Sequence, residues 1–181
     1  MLHIEISDKE FFDEVNEEFI YIKKRCLNLE HSLISLSKWE SKWNVPFLSE
    51  KNLSGEKLSD YIKSMSIDKG IDDNVYRSLN PEELAKITEY IGLPMTATTF
   101  NDNGPQTKIN REIITSEIIY YWMIEFNIPF ECQKWHLNRL LTLIRVCNIK
   151  NSPQRKMKKN EILNMNRSLN EARKQKLNTK G

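Results

Sequence analysis

The chain has 181 residues, 39% of them apolar, and a net charge of +2. That length suits one compact domain plus a tail, with a core of ordinary size. Five glycines argue against a many-stranded barrel and against phosphate-cradling loops, and three cysteines without paired spacing argue against a disulfide framework. The charge is unevenly spread. Residues 150–181 carry ten Lys/Arg against two acids, about +8, and residues 1–149 balance them at about −6. The start, MLHIEISDKEFFDE, lacks a basic n-region and does not read as a signal peptide. No apolar run reaches the ~18–20 residues of a membrane span, so no membrane partner is expected.

Residues 2–6 (LHIEI) alternate apolar and polar, as a half-buried strand does, and FIYIKKRCLNLEH (19–31) alternates in two pieces. These predict a small antiparallel hairpin or three-stranded sheet, with acidic FFDEVNEE (11–18) as its first connection. Ser32 can cap a helix running to about Asn44. At about 100° per residue, Leu33, Leu36, Trp39 and Trp43 share one apolar stripe. Glu40 sits at its edge. A buried carboxylate there needs a partner, and the expected one is Arg139 rather than Arg145, whose forks suit a desolvated acid. The alternative is that Glu40 reaches solvent.

SGEKLSDYIKSM (54–65) predicts a short helix capped by Ser54, and VYRSL (75–79) a helical stub. Asn80-Pro81-Glu82-Glu83 combines a capping residue, proline at the first position and first-turn acids, and the helix it starts stops at Gly92. MTATTF (95–100) is β-prone. NDNGPQTKIN (101–110) is loop-like.

Two apolar segments follow, 113–126 and 132–150, joined by the turn Asn127-Ile128-Pro129. The first is apolar almost all round, which predicts burial on most sides. The second has an apolar face (Leu137, Leu140, Leu141, Ile144, Cys147) and a polar stripe that includes Lys134, Asn138 and Arg145. The expected core is a central helical hairpin built from these two. The fold class is mainly α (α+β): a helical domain over 1–150 with a small N-terminal β element, then a basic, partly disordered tail over 151–181. The tail includes Arg155, Lys156, Lys158, Lys159, Arg167, Arg173, Lys174 and Lys176, and it predicts a marginal helix over 156–177.

No catalytic motif is present. Cys132 and His136 have metal-ligand spacing, but Cys147 lies about 16 Å further along a continuous helix, so no metal or cofactor is expected. A Cys–His nucleophile pair lacks an orienting Asn or Asp and an oxyanion-hole glycine. The second hairpin helix is too apolar at its N-terminus for a recognition helix. The expected partner-binding residues are therefore Trp39, Trp43, Lys134, Asn138 and Arg145, with weak nucleic-acid contact through the basic tail.

LEHSLISLSKWESKWNVPFL (29–48), PMTATTF (94–100), the block 113–150 and the closing KMKKNEILNMNRSLNEARKQKL (156–177) resemble the tail assembly chaperones of long-tailed bacteriophages and prophages. That resemblance implies a non-enzymatic morphogenesis factor in the bacterial host cytoplasm, holding the tape measure protein while tube subunits polymerise. A structural virion protein of the neck or tail, and a nucleic-acid-binding regulator, are the alternatives.

Overall fold

The computed structural model describes residues 1–13, 17–50, 53, 55–100, 113–151 and 159–177. The fold is mainly α with a small N-terminal β element, and the chain divides into two compact units, Met1–Asn148 and Ile149–Gly181.

The first unit opens with four strands, β1 (Leu2–Ile6), β2 (Lys9–Asp13), β3 (Glu18–Ile22) and β4 (Arg25–Leu29). β1 pairs antiparallel with β4, and β2 with β3. Leu2 faces Leu29 and Lys9 faces Ile22, so both ladders keep one register and form a single long hairpin interrupted at residues 7–8 and 23–24. The Asp8 carboxylate accepts the Lys24 N–H at 2.7 Å across that interruption. The acidic connection expected over 11–18 is therefore largely wrong. The register carried up from β1 and β4 brings residues 9–13 opposite 18–22, and pairing overrides the acid-rich composition. Alternation puts Ile4, Ile6, Ile22, Leu27 and Leu29 inside.

Helix α1 (Leu33–Trp43) follows. Ser32 caps it through a reciprocal box with Ser35, and Asn44 ends it in the left-handed conformation. A 3₁₀ turn (Phe47–Ser49), α2 (Gly55–Met65), α3 (Asp73–Arg77) and α4 (Pro81–Gly92) come next. The start expected at Asn80 is present in full. Asn80 accepts from the Glu83 N–H, and Glu83 accepts from the Asn80 N–H, both at 2.7 Å. Ser54 lies outside the described residues, as does the loop-like stretch 101–110. Residues 95–100 form no strand.

The two segments expected to form the central hairpin are α5 (Ser116–Glu125) and α6 (Leu137–Asn151), but α5 packs chiefly against α1 rather than α6. Asn127 is left-handed, as its place in the turn requires. The connection is longer than expected: residues 130–134 form a 3₁₀ turn, and α6 starts at Leu137 rather than near Cys132. Ser32 and His136 form an isolated antiparallel bridge, and the Leu137 N–H reaches the His31 carbonyl at 2.7 Å. Those backbone bonds hold residues 135–136 extended, so the helix cannot begin earlier.

The packing centre is α1, which meets α2, α5 and both 3₁₀ turns. Leu33, Leu36 and Trp39 of α1, Tyr61, Ile62 and Met65 of α2, and Ile119 and Met123 of α5 are almost entirely buried. In the second unit, α7 (Lys159–Leu177) is a single helix whose residues 162–177 are all exposed.

Candidate protein-binding surfaces

The residues expected to bind a partner do not gather into one site. Trp39 is fully buried. Its indole N–H donates to the Lys57 carbonyl at 2.9 Å, and its ring meets Phe47 edge-on at 5.2 Å. Phe47 in turn stacks on Tyr61 at 4.0 Å. Trp39 is thus a core residue joining α1, α2 and the first 3₁₀ turn, not a surface anchor. A stripe that contains the largest side chain of its helix is the stripe the core takes first.

Trp43 sits at the end of α1 and is half-buried, with Lys42 Nζ at 5.5 Å and Lys57 Nζ at 5.7 Å from its ring. Its Nε1 is buried and has no acceptor among the described residues. Asn138 is structural. Its amide donates to the Ile91 carbonyl at 3.0 Å and the Leu93 carbonyl at 2.7 Å, satisfying the open end of α4. Lys134 is exposed beside a cavity of about 350 Å³ that Glu30 and Lys38 also line. Arg145 is exposed, with its guanidinium 3.9 Å from the centre of the Phe100 ring.

The expected Glu40–Arg139 pair does not form. Glu40 is only 7% exposed, and two backbone N–H groups hold its carboxylate. Phe47 N donates to Oε1 at 2.9 Å, and Ser116 N donates to Oε2 at 2.7 Å. Arg139 instead lies 4.2 Å over the Trp135 ring. The reason is the start of α5. Its capping residue, Thr115, makes no side-chain cap bond, so the first-turn donors need an acceptor from elsewhere. A carboxylate at a helix N-terminus also meets the positive end of the helix dipole. Glu40 therefore caps α5 from α1.

A second buried polar group pairs His136 with His31, a contact that the sequence does not show. His31 and His136 lie edge to face at 5.0 Å. His31 Nδ1 is 2.5 Å from the Tyr61 hydroxyl. His136 Nε2 donates to the Tyr90 carbonyl at 3.0 Å, and its Nδ1 accepts from Asn138 N at 3.3 Å, which satisfies the neutral ring. Burial, with His136 beside it, pushes the His31 imidazole down to about 3. Burial also lowers His136, opposed by the Tyr90 carbonyl and Glu30. Glu30 accepts from the Tyr90 hydroxyl at 2.6 Å and pairs with the Met1 ammonium at 2.9 Å.

Cys132 lies in the 3₁₀ turn and His136 in the bridge, so they do not share a helix as the spacing suggested. No group of three or more metal-type ligands occurs among the described residues. Arg167, Arg173, Lys174 and Lys176 are exposed on α7, while Arg155, Lys156 and Lys158 lie outside the described residues. Among the described residues no helix is long and apolar enough to cross a membrane.

One apolar surface left open is on α5. Tyr121 is 60% and Ile124 62% exposed, and Ile113 and Phe130 are open nearby in sequence. Tyr120, whose hydroxyl donates to Gln133 at 2.9 Å, sets its ring 6.5 Å from Phe130. Glu117 and Glu125 are exposed on the same helix. The near absence of polar residues in 113–126 was the available signal, but it predicted burial rather than a bare face. Comparison with family models, with curated proteins and with solved structures gives no match for this chain.

Proposed function

We propose that this protein is a non-enzymatic assembly factor of the phage tail-chaperone type. It binds apolar helical segments of a tape measure protein in the host cytoplasm before the tail tube closes around them. The observation that carries this reading is the outer face of α5, where Tyr121 and Ile124 stand in solvent on a helix that buries only Ser116, Ile119 and Met123. Exposed apolar surface of this kind marks a binding face. An amphipathic helix laid against it through i, i+3, i+4 and i+7 anchors is the mode the face suits.

The test is co-expression with the tape measure protein of the same phage or prophage. The chain is expected to keep that protein soluble and to co-purify with it, and Tyr121→Glu with Ile124→Glu is expected to abolish both effects. Purified virions are expected to lack the chain by mass spectrometry. Stoichiometric presence in the particle would replace this reading with a structural neck or tail protein. The exposed cations of α7 favour a second reading, a nucleic-acid-binding regulator. DNA binding with a steep salt dependence, unaffected by the α5 substitutions, would support it.

A further inference from the structure

Two faces outside the α5 surface are unpartnered, and their chemistries match. On β2 and β3, Phe12, Phe19 and Tyr21 are 44%, 73% and 59% exposed. Phe12 and Phe19 are direct cross-strand partners with ring centres 5.0 Å apart, and Tyr21, two residues on, shares their side of the ladder. Such a pair steadies a hairpin, yet most of Phe19 remains in water. Glu10, opposite Tyr21 in the ladder, and Glu17, two residues before Phe19, are exposed carboxylates.

Helix α7 is the complement. At about 100° per residue, Ile162, Met165, Leu169, Arg173 and Lys176 fall on one face, apolar in its first half and cationic in its second. All five are exposed. Two α7 helices would repel each other, because the only acid among residues 162–177 is Glu171, against four Lys/Arg. The apolar half is about 10 Å long, enough to lie across the three aromatic rings, which leaves the cations to meet carboxylates.

We propose that the protein self-associates in trans, with α7 of one copy lying across the aromatic β2–β3 face of a second copy. The inference does not depend on the tape-measure reading. A contact between two different surfaces is head-to-tail. It closes when two copies exchange helices and otherwise extends as an open chain.

Sedimentation velocity of the full chain over a range of protein concentrations tests it. The expected result is a mass above monomer that falls as salt rises. Glu10→Lys with Glu17→Lys is expected to weaken association about tenfold, and Arg173→Glu with Lys176→Glu by as much. A chain carrying all four changes is expected to regain association, since the charges are again opposite. Phe19→Ser is expected to weaken it independently of salt. These positions are exposed, and an unchanged thermal transition checks that each variant is folded. A monomer at every concentration would overturn the proposal. So would association indifferent to both charge pairs, or a four-fold variant as weak as either parent.

Discussion

Helices α1 and α5 lie against each other but use their apolar residues in different ways. α1 has one narrow stripe and buries all of Leu33, Leu36 and Trp39. α5 is the more apolar of the two, yet it buries Ile119 and Met123 and leaves Tyr121 and Ile124 more than half exposed. Apolar content therefore does not rank these helices by burial. Burial follows the number of neighbours, and α1 meets four other elements where α5 is tied chiefly to α1. The surplus on α5 is surface the fold does not use.

The sharpest way to break this pairing is Glu40, which is part of α1 and caps α5. Glu40→Ala removes the acceptor of two backbone donors that remain buried, so it is expected to cost about 3 kcal/mol or more in urea unfolding. Glu40→Gln keeps one acceptor oxygen and is expected to lose less. Arg139→Ala is expected to be far milder, and coupling between the two positions in a double-mutant cycle should be near zero. A coupling above about 1 kcal/mol would restore the ion pair that the geometry replaces.

The next effect is set by pH, through the histidines between β4 and the start of α6. His31 binds its proton less readily when folded, near 3, than its ordinary value of 6.5. The unfolded chain thus takes up more protons as pH falls. Stability from this group is full above about 6.5 and is lost progressively as pH drops toward 3. His136 acts in the same direction. Between about pH 7.5 and pH 5, His31 alone is expected to cost about 2 kcal/mol, and His31→Gln is expected to flatten that slope. Equal urea midpoints at both values would contradict it.

The smallest stability effect is expected on the open side of α5. Tyr121→Ser with Ile124→Ser should shift unfolding by less than about 1 kcal/mol, because neither side chain has lost most of its water. A larger loss would mean that this face is part of the core.

The features legible in the sequence were those whose chemistry is local. Ser32, the Asn80-Pro81 start and the stop at Gly92 each depend on residues within one helical turn, and all three are where the pattern puts them. The mainly α class follows from such segments. The features that were missed depend on distant partners. β2 exists because β3 is held in register opposite it, and α6 starts late because Ser32 and His31 capture residues 136–137. Glu40 has backbone N–H groups as its partners, and those are not visible in the pattern of side chains along the sequence. Trp39 and Asn138 were placed on the partner side for the same reason, since the groups they satisfy are the carbonyls of Lys57, Ile91 and Leu93.

The shared register of the two ladders also constrains how this chain can vary in length. Each added residue turns every side chain beyond it to the opposite face of the hairpin. One residue gained in β1 or β2 alone would send Ile22's side of the ladder outward and the Phe12–Phe19 side inward, unless a bulge absorbed it. Gains matched across both arms keep the phase, so relatives of this chain should differ here by balanced pairs of residues, or in the segment between β2 and β3, rather than by single steps within a strand.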